Sequence, residues 1–145
     1  MKKFIIFLII LLLICVGIAI AQSNNLSNNE QELLSRIIYA EAKGEPYIGQ
    51  VAVGAVILNR IDSPDFPNTL AGVIYQPLAF EPVQNGTINQ AVPQNADARR
   101  AAKDALNGYD PTGGCLYFYN PNTASSKWIW SKQIVKTIGK HNFAK

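Results

Sequence analysis

The chain has 145 residues, enough for one domain once a targeting segment is set aside. Its formal charge of +3 owes much to two N-terminal lysines, because from Gln22 onward 11 Lys and Arg face 10 Asp and Glu. A nearly neutral domain with one histidine and one cysteine, Cys115, the other being Cys15 in the N-terminal segment, excludes an ordinary zinc site and a disulfide framework, and it argues against nucleic acid as a partner.

Lys2 and Lys3 precede an uninterrupted apolar run from Phe4 to Ala21, and Ala19-Ile20-Ala21 has the small-x-small pattern of a signal-peptidase site. The expectation is a signal peptide over residues 1–21, cleaved after Ala21, with the rest of the chain secreted. The run is also long enough to serve as an uncleaved anchor. Residues 22–30 are polar and low in complexity and read as a short linker. Residues 31–145 are left as the working domain.

The first helix is expected to start at an Asn28 or Asn29 cap and to run to about Ala42. Leu34, Ile38 and Glu41 follow an i, i+4, i+7 spacing, so a carboxylate continues an apolar stripe. Gly44 and Glu45-Pro46 then stop the helix, because proline disfavours helical geometry in the residue before it. Tyr47 to about Ile61 reads as a second helix, apolar nearly all round and therefore central. Asn59 on it is either a C-cap or a support for groups near Glu41. Asp62 to Asn68 is a loop, and Thr69 to Tyr75 is a short apolar segment, helical or extended. Phe80–Val83 and Thr87–Ile88 flank Asn85-Gly86, a hairpin signal. Ala96 to Asn107 predicts a third helix with Asn95 as its cap and Gly108 as its stop. Strands are expected at Leu116–Tyr119 and near Ile134–Ile138, with Trp128 and Trp130 presented on opposite strand faces. The fold class is α+β, a helical core with a small antiparallel sheet.

Metal, nucleophilic-triad and phosphate-loop motifs are missing, and Cys115 reads as a small buried core residue. A few carboxylates and a dense set of aromatics remain, including Tyr117, Phe118, Tyr119, Trp128 and Trp130. Aromatic faces with Asn and Gln side chains suit a carbohydrate groove. Burial at the end of a helix face raises a carboxyl pKa, which makes Glu41 the natural general acid. Glycoside cleavage usually employs two carboxylates, and Glu45 and Glu81 are the candidate partners. One glutamate also suffices where the substrate brings its own nucleophile, as the C6 hydroxyl of N-acetylmuramic acid does.

Five ordered blocks carry a resemblance: IIYAEAKGEPYIGQVAVGAVILNRI, FPNTLAGVIYQP, ALNGYDPTGGCLYFYNP, SSKWIW and TIGKHNFAK. Together they resemble the SleB-type cell-wall hydrolases, the spore cortex-lytic enzymes of endospore-forming bacteria, over about Gln31 to Lys145. The resemblance implies a lysozyme-like, transglycosylase-related α+β fold. It implies cleavage of the muramic acid to glucosamine bond of spore cortex during germination. The expected chemistry is lytic transglycosylation leaving 1,6-anhydro ends, with no metal or cofactor. The family's catalytic glutamate lies in the YAEA block, which lands on Glu41. The implied partner is cortex peptidoglycan containing muramic-δ-lactam, with an accessory protein that holds the enzyme inactive in the spore. Tyr39, Gln50, Asn59, Asn120 and Trp128 are the further candidates for substrate contact or support.

Two departures stand out. Longer members carry an N-terminal peptidoglycan-binding domain where this chain has a few polar residues, and Cys115 stands where a small apolar residue such as alanine is expected. The rival readings are a muramidase of vegetative wall, with Glu45 or Glu81 activating water, and a non-catalytic wall-binding accessory protein.

Overall fold

The computed structural model describes the backbone of residues 2–145 and the side chains of residues 5–22 and 27–145. The chain divides into two compact units, Met1–Glu30 and Gln31–Lys145. Helix α1 (Lys2–Ala42) contributes to both. In the first unit, the apolar side chains from Ile5 to Ile20 are exposed on every side of the helix, a surface suited to lipid rather than water. Residues 22–30, expected as a linker, are helical, so Asn28 and Asn29 lie inside α1 and do not cap it. Lacking proline and glycine, this polar stretch has nothing to break a helix whose two flanks are strongly helical.

The second unit is built around α2 (Tyr47–Asp62), whose Val51, Ala52, Val53, Val56 and Ile57 are all fully buried. Its main partner is α5 (Asp97–Leu106), which offers a stripe of buried alanines, Ala98, Ala101, Ala102 and Ala105. At Gly54 of α2 both α1 and α5 pack close: a Cβ there would come within 2.9 Å of Ile38 Cδ1 and 3.1 Å of Ala105 Cβ. Arg99 of α5 pairs with Glu32 of α1 at 2.6 Å, and the Tyr47 hydroxyl donates to Asp104 at 2.5 Å, tying the three helices at their polar edges.

Two short helices follow α2. Thr69 caps α3 (Leu70–Ile74), its hydroxyl accepting from Gly72 N at 3.0 Å. The hairpin expected around Asn85-Gly86 is instead helix α4 (Glu81–Gln84) and a 3₁₀ turn at Thr87–Asn89. Pro82 favours a helical first turn there, and only Gly86 takes the positive φ that a type I′ turn demands of both central residues. Asn85 is not left-handed; its side chain accepts from Thr87 N and the Thr87 hydroxyl in a local turn. Helix α5 begins at Asp97 after Ala96, without the Asn95 side-chain cap that was expected.

The sheet is antiparallel, with β3 (His141–Ala144) between β1 (Tyr117–Tyr119) and β2 (Ile134–Ile138). Phe118 pairs with Phe143, and Thr137 with Asn142. The central strand is a segment to which the sequence reading gave no element, and all four of its residues are buried. Trp128 and Trp130 do not lie on a strand. A 3₁₀ turn occupies Ile129–Ser131, and both indoles are about half exposed.

The β2–β3 turn depends on Gly139, whose φ is +58° and whose missing Cβ leaves room for the Glu45 carboxylate. Glu45 Oε2 accepts from Lys140 N at 2.8 Å. We therefore expect Gly139→Ala to destabilise the protein by roughly 1–3 kcal/mol, read as a lower Tm in thermal unfolding. An unchanged Tm would show that the Glu45–turn contact is dispensable.

Candidate active site

Glu41 lies in the last turn of α1, where Leu34, Ile37 and Ile38 anchor the helix in the core. The apolar stripe thus ends on a carboxylate at the edge of the packed region. Burial, and then the nearby charge of Glu81, push its pKa up to about 7, against the opposing pull of Arg60. Glu41 opens onto a cavity of about 360 Å³ that it shares with Arg60, Glu81, Phe118, Tyr119 and Asn120. A second cavity of about 550 Å³ holds Trp128, Tyr117 and Leu78, and shares Arg60, Ala79, Phe118, Thr123 and Ala124 with the first. The two adjoin along these shared residues as lobes of one groove lining, with Glu41 in one lobe and exposed aromatics in the other.

Each wall of the groove has its own local cause. Arg60 ends the buried face of α2, following Val53, Val56 and Ile57. Its Nε donates to Leu116 O at 2.8 Å, while the preceding Asn59 donates to Cys115 O and to Asp110, each at 3.0 Å. These bonds bring β1 to the helix. Asp110 also accepts from Thr112 N, the Thr112 hydroxyl and Gly114 N. Burial alone would raise the Asp110 pKa, but these hydrogen bonds outweigh it and hold the carboxyl below its ordinary range. Opposite, Leu78 has a positive φ of 63° and is 83% exposed at the groove edge. That conformation costs a non-glycine residue roughly 1–2 kcal/mol.

Of the residues singled out from sequence, Glu41, Glu81 and Asn120 come together in the first lobe, and Trp128 lies in the second. Asn120 shapes its loop, its Oδ1 accepting from Asn122 N at 2.9 Å. Trp128 stands edge-to-face on Tyr117 at 5.2 Å, with the Lys132 ammonium 4.6 Å from its ring. Four residues lie elsewhere. Tyr39 packs against the core beneath the Lys43 ammonium. Asn59 holds the 110–115 turn and β1, so its support is for the sheet. Gln50 donates to Glu45 O at 3.1 Å within the α1–α2 turn. Glu45 locks the β2–β3 turn and approaches His141 Nδ1 at 4.0 Å, and its side chain is only 8% exposed. Burial lowers the His141 pKa, so this contact is not an ion pair at neutral pH. Cys115 is fully buried, as expected, and burial raises its thiol pKa.

Arg60 was not singled out from the sequence, and Phe118 and Tyr119 entered only as members of the aromatic set, without a place beside Glu41. The signal for Arg60 was present: a cation interrupting an apolar helix face at i+4 and i+7 is the same pattern that exposed Glu41. Tyr119 carries a buried hydroxyl with no partner among the described residues, at the wall of the Glu41 lobe.

Comparison with known proteins decides the lineage. The profile of the Cell Wall Hydrolase family matches residues 44–144. The chain belongs to that family. It is similar to the spore cortex-lytic enzyme of Bacillus cereus, 52% identical over 122 residues that make up 84% of this chain and 46% of that protein. It thus spans about half the length of that curated relative. It is also similar to two solved structures. One is the catalytic domain of the Bacillus cereus SleB protein (52% identity, TM-score 0.75, covering 81% of this chain and 91% of that one). The other is the catalytic domain of the germination-specific lytic transglycosylase SleB from Bacillus anthracis (51% identity, TM-score 0.76, covering 81% and 94%). The fold is lysozyme-like, helical with a small three-stranded antiparallel sheet.

A carboxyl whose pKa rises from 4.5 to about 7 on folding favours its protonated form in the native state. Its contribution to stability is complete below about pH 4.5 and is lost as pH climbs through 7. Glu41→Gln removes that loss. At about pH 8 the variant should be more stable than the parent by roughly 3 kcal/mol, with the difference vanishing below pH 4.5. Chemical denaturation across pH measures it, and a difference independent of pH would assign Glu41 an ordinary pKa.

Proposed function

We propose that this protein cleaves the bond between N-acetylmuramic acid and N-acetylglucosamine in spore cortex peptidoglycan, acting as a lytic transglycosylase during germination. The observation that carries the proposal is Glu41, a partly buried carboxyl protonated near neutral pH at the wall of an open groove. The description of the Bacillus anthracis relative as a germination-specific lytic transglycosylase supports it. Glu41 lies just before the span matched by the family profile, so its assignment leans on geometry and on the YAEA block.

In this mechanism the Glu41 carboxyl protonates the glycosidic oxygen as the bond to muramic acid C1 breaks. The C6 hydroxyl of the same muramic acid attacks C1, and its proton passes to the Glu41 carboxylate. The acid is restored, and the product is a 1,6-anhydro end with no water consumed. The surroundings favour this role: burial and then the charge of Glu81 favour the protonated Glu41 before the step, and Arg60 stabilises the carboxylate formed during it.

Glu81 in the same lobe favours one second reading, a muramidase in which it activates water for direct attack. The preference for muramic-δ-lactam and an accessory protein that silences the enzyme in the dormant spore belong to the same proposal. So does secretion: the exposed apolar face of residues 5–20 suits a signal segment cleaved after Ala21.

Glu41→Gln should lower turnover of purified cortex by at least about 100-fold while binding to cortex survives. Mass spectrometry of the released muropeptides should find ends short of one water. Reducing muramic acid ends that disappear in Glu81→Gln would establish the muramidase reading instead. Full activity in Glu41→Gln would remove Glu41 from the mechanism.

A further inference from the structure

Arg60 is the least explained charge in the second unit. It is 9% exposed, yet among the described residues it forms no ion pair, with neither Glu41 nor Glu81 within salt-bridge distance. Burying an unpaired guanidinium is costly unless other groups compensate. Part of the compensation is aromatic, with Phe66, Phe80 and Tyr117 rings lying 5.1, 5.4 and 5.8 Å from its Cζ. One hydrogen bond, from Nε to Leu116 O, fixes the plane of the group. The Nη amines have no partner among the described residues, and neither is sealed from solvent. Arg60 lines both lobes of the groove, so these donors lie at the seam where the two meet.

We propose that Arg60 is a substrate-positioning residue whose Nη amines hold the amide carbonyl oxygen of an N-acylated amino sugar at the seam of the groove. The inference rests on the glycan reading above and names what that reading leaves open, the group that sets a sugar's position relative to Glu41. A rigid guanidinium offers parallel donors matched to a planar acceptor. The surroundings select a neutral acceptor over an anion, because a substrate carboxylate at this place would meet the charge of Glu81 and would add to the charges that oppose ionisation of Glu41. An amide carbonyl accepts from the guanidinium without that repulsion. Two sources share this chemistry, an N-acetyl group and a cyclic lactam.

The test uses the full chain in mild detergent carrying Glu41→Gln, so that ligands persist. Its affinity for tetra-N-acetylchitotetraose, and for cortex fragments prepared with and without lactam, is compared with that of the same chain carrying Arg60→Lys. Lysine keeps the charge and removes the planar fork. We expect affinity to fall about tenfold with Tm changed by only a few degrees. Loss for the chitotetraose identifies the N-acetyl carbonyl, and loss confined to lactam-bearing fragments identifies the lactam; either supports the inference. Unchanged affinity for every probe overturns it and leaves the glycan reading intact. Failure of the parent to bind any probe overturns both. A second readout needs no substitution at position 60: the Arg60 guanidinium proton resonances should shift on addition of a probe that binds. Their constancy in the presence of a bound probe overturns the inference even where Arg60→Lys fails to fold.

Discussion

Two adjacent side chains at the end of α2 hold the site together. Asn59 and Arg60 donate to consecutive backbone carbonyls, Cys115 and Leu116, and so join the most buried helix to the first strand of the sheet. Everything on the far side of the groove follows from that join, since Phe118, Tyr119 and Asn120 continue directly from Leu116. The partners are backbone oxygens, so the register of β1 against the helix is set by main-chain geometry and tolerates changes such as cysteine at position 115. Asp110 completes the arrangement by gathering the intervening turn around its carboxylate. Because Arg60 is also a groove residue, the contact that builds the site places a positive charge inside it.

That charge is one part of a balance centred on Glu41. Desolvation and Glu81 favour the protonated acid, and Arg60 favours the carboxylate. A general acid that must later serve as a base works best with a pKa near the operating pH. Removing either neighbour would move Glu41 away from that point in opposite directions. The fold bears the cost of a desolvated carboxyl, a buried guanidinium and a left-handed Leu78 along one groove. A packed α2–α5 core offsets these costs elsewhere in the same unit.

Glu45 and His141 illustrate how a residue type suited to catalysis is used for structure. Glu45 precedes a proline and lies four residues after Glu41, which made it a plausible second carboxylate. Its side chain points into the β2–β3 turn, where a glycine leaves the space it occupies and a backbone amide donates to it. His141, the one histidine, is buried beneath Phe118 and Phe143 rather than displayed in the groove. Burial keeps it neutral, as a packed sheet requires.

What the sequence determined by itself was local and periodic. The stripe Leu34–Ile38–Glu41, the all-round apolar α2, the buried Cys115 and the β2 strand follow from spacing and polarity within a dozen residues. The order of the blocks was enough to identify the family. Tertiary structure decided what depends on residues distant in the chain. Asn85-Gly86 lost its hairpin because Pro82 and the single left-handed glycine favour a helical turn. His141-Asn142 became the central strand because β1 and β2 flank it on both sides. Glu81, forty positions away, joined Glu41, while Glu45, four away, did not. Periodicity states which face of an element is buried; which other element that face meets depends on long-range packing, and the groove is made of such meetings.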